Sequence, residues 1–185
     1  MKRVFIAIKT EPDGNLQKIY SNVKYLLDKE KINWVEPSNI HLTLAFLGDI
    51  HDDMIKAAGI VLKEKCYGFG EFTFVMKGIG VFKNLRDPRI IWSGVEDSQI
   101  LLKLNGHIIN GLIDSGFIIE NRQYKPHITL GRIKLLKNND ALKSVVLKYQ
   151  DTLIQEVHAT EVILYESILK QTGPVYKPIG IFKLL

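Results

Sequence analysis

The chain has 185 residues, enough for one domain with a substantial core, and its 46% hydrophobic and 24% charged content is that of a globular protein. A formal net charge of +5 suits an anionic ligand but excludes the dense basic surface of a nonspecific nucleic-acid binder. The one cysteine, Cys66, excludes an internal disulfide and a cysteine-based zinc site. Lys9, Glu11 and Asp13 interrupt the short apolar start, so we expect neither a signal peptide nor a membrane span, and the cytoplasm is the expected compartment.

The hydrophobic pattern predicts strands and helices through the whole chain. In the first half, strands are expected over 3–8, 32–35, 40–47 and 72–77, and helices follow Asp13 and begin at an N-cap of Asp52 or Asp53. In the second half, strands are expected over 89–95, 127–133, 155–159, 162–169 and 176–184, and helices begin at Asp97 or Ser98 and near Asn139. Gly116 is expected to end the third helix, and Trp34 and Trp92 are expected in the core.

One four-residue pattern occurs twice, over residues 41–44 (HLTL) and 127–130 (HITL). Each copy lies in a predicted strand, and successive side chains of a strand point to opposite faces. His41 therefore shares a face with Thr43, and His127 shares one with Thr129. Because histidine titrates near neutral pH, a pair of histidines is suited to acid–base catalysis. The two copies are predicted to form the two halves of one site.

The two copies are 86 positions apart, and the same offset relates Arg3 to Arg89 and Pro88 to Pro174. The order of strand, helix, histidine strand and helix is common to both halves, which indicates an internal repeat. We expect a single domain over residues 1–185, with repeats at about 3–88 and 89–174 and a closing C-terminal strand over 175–185. Two such lobes would face each other across a ligand-binding cleft.

Histidines with neighbouring threonines fit the hydrolysis of a cyclic phosphodiester. That reaction needs a base to activate water and an acid to protonate the departing ribose oxygen, on opposite sides of the phosphorus. Threonine hydroxyls beside the imidazoles would donate hydrogen bonds to phosphate oxygens. Arg132 and Lys125 flank the second copy, and arginine is the favoured phosphate ligand because it grips two oxygens at once. No cofactor is required, and two histidines without a carboxylate are a poor metal ligand set.

The two motifs and their surroundings resemble the 2H phosphoesterases, in particular the bacterial and archaeal RNA 2′,3′-cyclic phosphodiesterases, also called 2′–5′ RNA ligases. The resemblance spans almost the whole chain. The similar stretches are residues 3–8, 34–35, 41–48, 80–82, 88–95, 124–132, 164–167 and 173–176. The resemblance implies an α+β, bilobal 2H phosphoesterase fold, with two pseudo-symmetric lobes of antiparallel sheet plus helices around a central cleft.

The resemblance also implies an activity and residue roles. The activity is hydrolysis of RNA 2′,3′-cyclic phosphate ends to 2′-phosphomonoesters without metal or cofactor, and family members can join RNA ends through a 2′–5′ linkage without ATP. His41 corresponds to the family's proton donor and His127 to its proton acceptor, although spacing alone allows the reverse. Thr43, Thr129 and Arg132 correspond to phosphate-binding residues.

Strand alternation bears on two of the candidate substrate contacts. Phe46 corresponds to an aromatic residue near the family's base-binding region, yet strict alternation places it on the face opposite His41. Alternation likewise directs Arg132 away from His127, unless the strand bulges or ends there. Lys125 is a candidate phosphate ligand, but an ordinary solvent-exposed lysine with no binding role fits the sequence equally well.

Two other functions remain compatible with the sequence. One is a cyclic phosphodiesterase that acts on small nucleotides, since base and chain contacts are spread over loops. The other is a non-catalytic RNA-binding module, which the intact pair of histidines with both threonines disfavours. The expected partner is RNA or an oligonucleotide with a 2′,3′-cyclic phosphate end, bound by a monomer that does not associate with membranes.

Overall fold

Nine strands, four α-helices and one 3₁₀ turn form the part of the chain that the computed structural model describes, residues 1–96, 98–119, 123–171 and 173–185. The strands are β1 (Lys2–Lys9), β2 (Lys31–Trp34), β3 (His41–Ile50), β4 (Phe72–Phe82), β5 (Ile90–Glu96), β6 (His127–Leu135), β7 (Leu153–Ala159), β8 (Glu161–Lys170) and β9 (Gly173–Lys183). The helices are α1 (Gly14–Leu26), α2 (Asp52–Cys66), α3 (Gln99–Asp114) and α4 (Asn139–Tyr149). The 3₁₀ turn, Pro37–Asn39, leads directly into β3.

The helix starts follow local capping signals, with one correction. The Asp13 side chain accepts a hydrogen bond from the Leu16 N–H at 2.7 Å, as an N-cap residue does. The expectation that Asp52 or Asp53 caps α2 is wrong, because both lie inside the first turn and His51 occupies the N-cap position. The two carboxylates are stabilised there by the positive end of the helix dipole instead.

The ends of α3 agree with the sequence where they can be compared. Ser98 occupies its N-cap position, and the alternative start, Asp97, lies outside the described residues. Gly116 follows the helix with φ of +87°, the left-handed conformation that commonly ends helices.

The strands form one antiparallel sheet in the order β7-β4-β5-β6-β3-β1-β8-β9, and β2 pairs with the C-terminal part of β6. The two motif strands, β3 and β6, are neighbours at the centre, where Leu42 pairs with Ile128. Each side of the sheet takes strands from both halves of the sequence, since β4 pairs with β5 and β8 pairs with β1. The repeat boundaries near residues 88 and 174 stay a prediction.

The helices cover one face of the sheet and the hydrophobic core lies between them. Leu42 and Ile128 point into this core with no exposed surface, and so do Leu62 of α2 and Leu104 of α3. The opposite face, called here the histidine face, carries the alternate residues of β3 and β6, among them both histidines and both threonines of the motifs.

The two tryptophans occupy different faces. Trp34 lies edge-on against Tyr20 at the core, as predicted, with ring centroids 5.7 Å apart. The same expectation for Trp92 is wrong: it alternates with buried Ile91, pairs with Thr129 and therefore lies on the histidine face. Its ring is 5.3 Å from that of Phe82.

Strand β4 is longer than predicted because glycine lets it bulge. The predicted strand stops at Lys77, just before Gly78, which has φ of +74° at a register shift against β5. A Cβ at Gly78 would collide with the main-chain oxygen of Gln150, so only glycine fits. The strand then continues to Phe82, which it delivers to the histidine face.

No helix within the described ranges is long and apolar enough to cross a membrane.

Candidate active site

The two motif histidines lie on the same face of neighbouring strands. The pairing of Leu42 in β3 with Ile128 in β6 sets the histidine strands side by side and antiparallel at the middle of the sheet. His41 is close enough to His127 and to Arg132 for their positive charges to lower its pKa. The prediction that the two motifs come together is therefore matched by the geometry.

Each imidazole is oriented by a main-chain carbonyl two residues upstream. His41 Nδ1 lies 2.6 Å from the carbonyl oxygen of Asn39, and His127 Nδ1 lies 2.7 Å from that of Lys125. Because a carbonyl only accepts, each Nδ1 carries the proton and donates it. In the neutral ring Nε2 then has a lone pair, and Nε2 is the atom available for proton transfer.

An aromatic ring stands edge-on to each imidazole. Tyr176 approaches His41 with ring centroids 5.2 Å apart and planes at 88°, and Phe82 approaches His127 at 4.6 Å and 89°. Phe5 adds a second ring beside His41, at 5.0 Å. These rings limit the rotation of the imidazoles and reduce their contact with water.

The environment lowers the pKa of both histidines below the ordinary value. Burial is the largest cause for each, and the positive charge of Arg132 acts in the same direction. The Asn39 and Lys125 carbonyls oppose this shift by accepting the Nδ1 proton. Both imidazoles are thus held neutral more readily than free histidine, and a bound phosphate anion would favour the protonated form.

A β-bulge brings Arg132 to the histidine face. In the β5–β6 pairing, Ile91 lies opposite Gly131 and Trp92 opposite Thr129, so Leu130 has no partner. Leu130 and Gly131 are consecutive buried residues, after which Arg132 is exposed. The extra residue reverses the alternation, so the guanidinium lies on the same face as His127. The sequence allowed Arg132 to face His127 if the strand bulged before it, and β6 contains such a bulge.

The equivalent bulge in β3 corrects the placement of Phe46. Ile6 pairs with Ala45 and Ala7 with Thr43, so Leu44 is the residue without a partner. Strict alternation put Phe46 opposite His41, which is wrong, because the bulge turns its side chain to the histidine face. There its ring is 6.1 Å from Phe5 and 66% exposed.

The two motif threonines flank the histidines on this face. Both side chains are half-buried, and within the described ranges neither hydroxyl has a hydrogen-bond partner. Thr43 is fixed through its main chain, whose carbonyl accepts a hydrogen bond from the Tyr124 hydroxyl at 2.9 Å. Burial raises the pKa of that tyrosine, so the hydroxyl keeps its proton.

Lys125 has a structural role that the sequence did not reveal. Its side chain is exposed, and the atom it brings to the site is the main-chain oxygen that accepts the His127 Nδ1 proton. The charged end of the side chain stays a candidate phosphate contact.

Comparison with known proteins identifies the family. A family model described as LigT like phosphoesterase matches residues 6–92. The RNA 2′,3′-cyclic phosphodiesterase of Thermotoga maritima is 35% identical over 95% of this chain and 91% of its own. The protein of the same name from Methanothermobacter thermautotrophicus is 31% identical, with 98% of each chain covered. The chain belongs to the LigT-like phosphoesterase family. The resemblance inferred from the paired motifs is confirmed.

Solved structures have the fold of this LigT-like phosphoesterase. The protein TT0787 of Thermus thermophilus superposes with a TM-score of 0.82 at 23% identity, covering 98% of this chain and 97% of that one. E. coli LigT complexed with 3′-AMP superposes with a TM-score of 0.73 at 25% identity, covering 99% and 98%. The predicted α+β, bilobal 2H phosphoesterase fold is confirmed.

A cavity of about 410 Å³ adjoins His41 in this LigT-like phosphoesterase. Asn39, His41, Tyr165 and Tyr176 contribute to its walls, and Lys9 and Glu161 add one charge of each sign. A larger cavity of about 920 Å³ lies between the end of α2 and α3 and contains none of the predicted site residues. The cavity beside His41 thus lies on the β8–β9 side of that histidine, and His127 and Arg132 do not line it.

Sequence reasoning missed four residues that contact the histidines. Phe5 and Phe82 lie in stretches that resemble the family, whereas Asn39 lies between two predicted strands. Tyr176 comes from a strand far along the chain, and no local pattern indicates that its ring meets His41. The family resemblance of the stretches that contain Phe5, Phe82 and Tyr176 was the one signal that pointed to these three residues, and Asn39 had none.

Proposed function

We propose that this chain is an RNA 2′,3′-cyclic phosphodiesterase, a hydrolase that opens the cyclic phosphate at an RNA end to a 2′-phosphomonoester. The observation that carries the proposal is the pair of imidazoles on adjacent central strands, each held through Nδ1 with Nε2 left for proton transfer. Relatives that match over nearly the whole chain bear this name, which supports the same substrate class.

In the proposed reaction, the two histidines act on opposite sides of the phosphorus. Water attacks the phosphorus while His127 Nε2 takes its proton, and the bond from phosphorus to the ribose 3′ oxygen breaks. His41, protonated at Nε2, gives that proton to the departing oxygen, so the product carries a 2′-phosphate. The reaction needs no metal, because protons and charge are handled by the two imidazoles and by the phosphate ligands.

The phosphate is held by the residues that share the histidine face. Thr43 and Thr129 donate their hydroxyl hydrogens to the non-bridging oxygens, and the Arg132 guanidinium grips two oxygens at once. Lys125 adds a mobile positive charge at the rim. Phe46, exposed on the same face, offers a surface on which a base can stack.

The same groups suit ATP-independent 2′–5′ ligation, in which a 5′-hydroxyl replaces water. In our proposal the protein acts as a monomer in the cytoplasm, as predicted from the sequence. A binding module without catalysis is disfavoured, because it has no need of two imidazoles with matched carbonyl supports and lowered pKa values.

Product identification tests this function directly. The protein is incubated with an RNA oligomer and with a mononucleotide, each ending in a 2′,3′-cyclic phosphate, in the presence of EDTA. We expect a 2′-phosphate product from the oligomer at a rate that EDTA does not change. A 3′-phosphate product would contradict the assigned leaving oxygen. Loss of activity with EDTA and recovery with metal would contradict the metal-free reaction, and turnover of the mononucleotide alone would favour a small-nucleotide enzyme.

A further inference from the structure

The hairpin of β8 and β9 extends beyond the strand that supports it. β1 pairs with β8 from Val4–Glu166 to Ala7–Ile163, whereas the pairing of β8 with β9 continues to Lys170 and Gly173. We call residues 167–171 and 173–176, the part beyond the β1 pairing, the hairpin arm. Because β9 is an edge strand, the position of the arm depends on contacts outside the sheet.

Asn39 makes such a contact and touches His41 at the same time. Its side-chain amide donates a hydrogen bond to the main-chain oxygen of Pro174, in the arm, at 3.1 Å. Its own main-chain oxygen accepts the His41 Nδ1 proton at 2.6 Å. One residue at the end of the 3₁₀ turn therefore joins the arm to the imidazole.

The arm in turn places a ring against the same imidazole. Tyr176, two residues after Pro174, stands edge-on to His41 at 5.2 Å and to Phe5 at 4.9 Å. Asn39, His41 and Tyr176 also line the cavity of about 410 Å³. If the arm moved away, His41 would lose a wall and the cavity would open to solvent.

We propose that Asn39 is a positioning residue that ties the hairpin arm to His41, so that Tyr176 keeps the imidazole shielded and aimed at the substrate. The expected effect on turnover rests on the proposed function, whereas the expected effect on the pKa of His41 does not. Among the described residues there is no corresponding tie at His127, whose edge-on ring, Phe82, is held by strand pairing with Ile90 of β5. The dependence on an arm is thus a feature of the His41 half of the site.

The test uses Asn39→Ala with Asn15→Ala as the matched control. Asn15 also donates a hydrogen bond from its side-chain amide to a distant main-chain oxygen, that of Ile154, at 2.7 Å, but this bond joins α1 to β7, neither of which carries a motif histidine. NMR titration of His41 without substrate and kcat/KM on the cyclic phosphate are measured for both. In Asn39→Ala we expect the pKa of His41 to rise, because its burial falls, and kcat/KM to drop about tenfold. Asn15→Ala leaves both unchanged.

The groups that face His41 are kept in both variants, so a shift in its titration reports the arm. These ionisable groups are Lys9 of β1, His127 and Arg132 of β6, Glu161 and Tyr165 of β8, and Tyr176 of β9. Because the NMR titration needs no turnover, absence of activity in the unaltered protein would contradict the proposed function alone.

A double-variant cycle with Tyr176→Leu separates positioning from simple loss of stability. If Asn39 acts through the ring, Asn39→Ala adds little to the loss caused by Tyr176→Leu. Additive losses would overturn the proposal, as would a His41 titration in Asn39→Ala that equals that of the Asn15→Ala control. If Asn39→Ala fails to fold, Asn39→Ser, whose hydroxyl is too short to reach Pro174, replaces it in the same cycle.

Discussion

The bulge in β6 determines on which face of the sheet the Arg132 side chain lies. Strict strand alternation would place its guanidinium on the helix-covered face, where burying an unpaired charge costs free energy. The bulge at Leu130 puts it instead beside both histidines, whose pKa values it lowers. That position makes it the cation best placed to meet the charge of a bound phosphate.

Replacing Arg132 is therefore expected to weaken catalysis through the phosphate. Arg132→Ala should lower kcat/KM about a hundredfold, because a charge-bearing donor to the reacting group is lost. Arg132→Lys should recover only part of the loss, since lysine lacks the planar fork. Lys134→Ala, which removes an exposed cation two residues further along β6, is the control and should leave kcat/KM close to the original value. Equal losses in Arg132→Ala and Lys134→Ala would point to general charge attraction instead.

Phe46 and Arg132 occupy equivalent positions of the proposed repeat, 86 residues apart, each two residues past a bulge. On the histidine face, an aromatic ring in one half of the repeat thus corresponds to a guanidinium in the other. The two motif histidines occupy equivalent positions, whereas the residues around them differ. In the proposed reaction, this difference would give an asymmetric substrate, with a base on one side of its phosphate, a single preferred orientation.

At the scale of elements, the strands and helices follow from the sequence, whereas the bulges do not. The apolar alternation of residues 41–44 and 127–130 fixes which residues face the core, and Asp13 marks the start of α1 as expected. A bulge is defined by how two strands pair, so Leu44 and Leu130 carry no local signal of it. For the same reason the extension of β4 past Gly78, which brings Phe82 to His127, was not predicted.

The glycines of β4 offer a test of how this element supports the site. A Cβ on Gly80 would lie 2.5 Å from the Trp92 ring, which is too close, and the ring is stiff. Gly80→Ala should lower the free energy of unfolding by about 1–3 kcal/mol, as overpacking does, and should reduce turnover by displacing Trp92 and Phe82. Gly106→Ala in α3 meets no atom within 4 Å and is the control, expected to raise stability by about 0.4–1 kcal/mol. Urea unfolding measures the free energy of unfolding of both variants. Equal values for the two would contradict the packing described for Trp92.

At the scale of the whole molecule, the site exists because the sheet brings distant segments together. β3 and β6 meet at its centre, and β9, from the end of the chain, supplies Tyr176 to His41. The paired motifs and the stretches around them were enough to predict the fold through family resemblance, and the structure brings the predicted histidines and threonines to one face. The carbonyl supports, the edge-on rings and the Asn39 contact depend on tertiary structure, and no pattern within a single segment encodes them.

The central claim is that two histidines share the acid–base work on a cyclic phosphate. The measurement that tests it most directly is the hydrolysis rate of an RNA oligomer with a 2′,3′-cyclic phosphate end by His41→Ala and His127→Ala. The control is His107→Ala, which removes an exposed histidine of α3. We expect each motif variant to lose about 10²–10⁴-fold in rate while keeping the native circular dichroism spectrum, and the control to match the unaltered protein. A rate within a few-fold of the unaltered protein in either motif variant would contradict the two-histidine reaction.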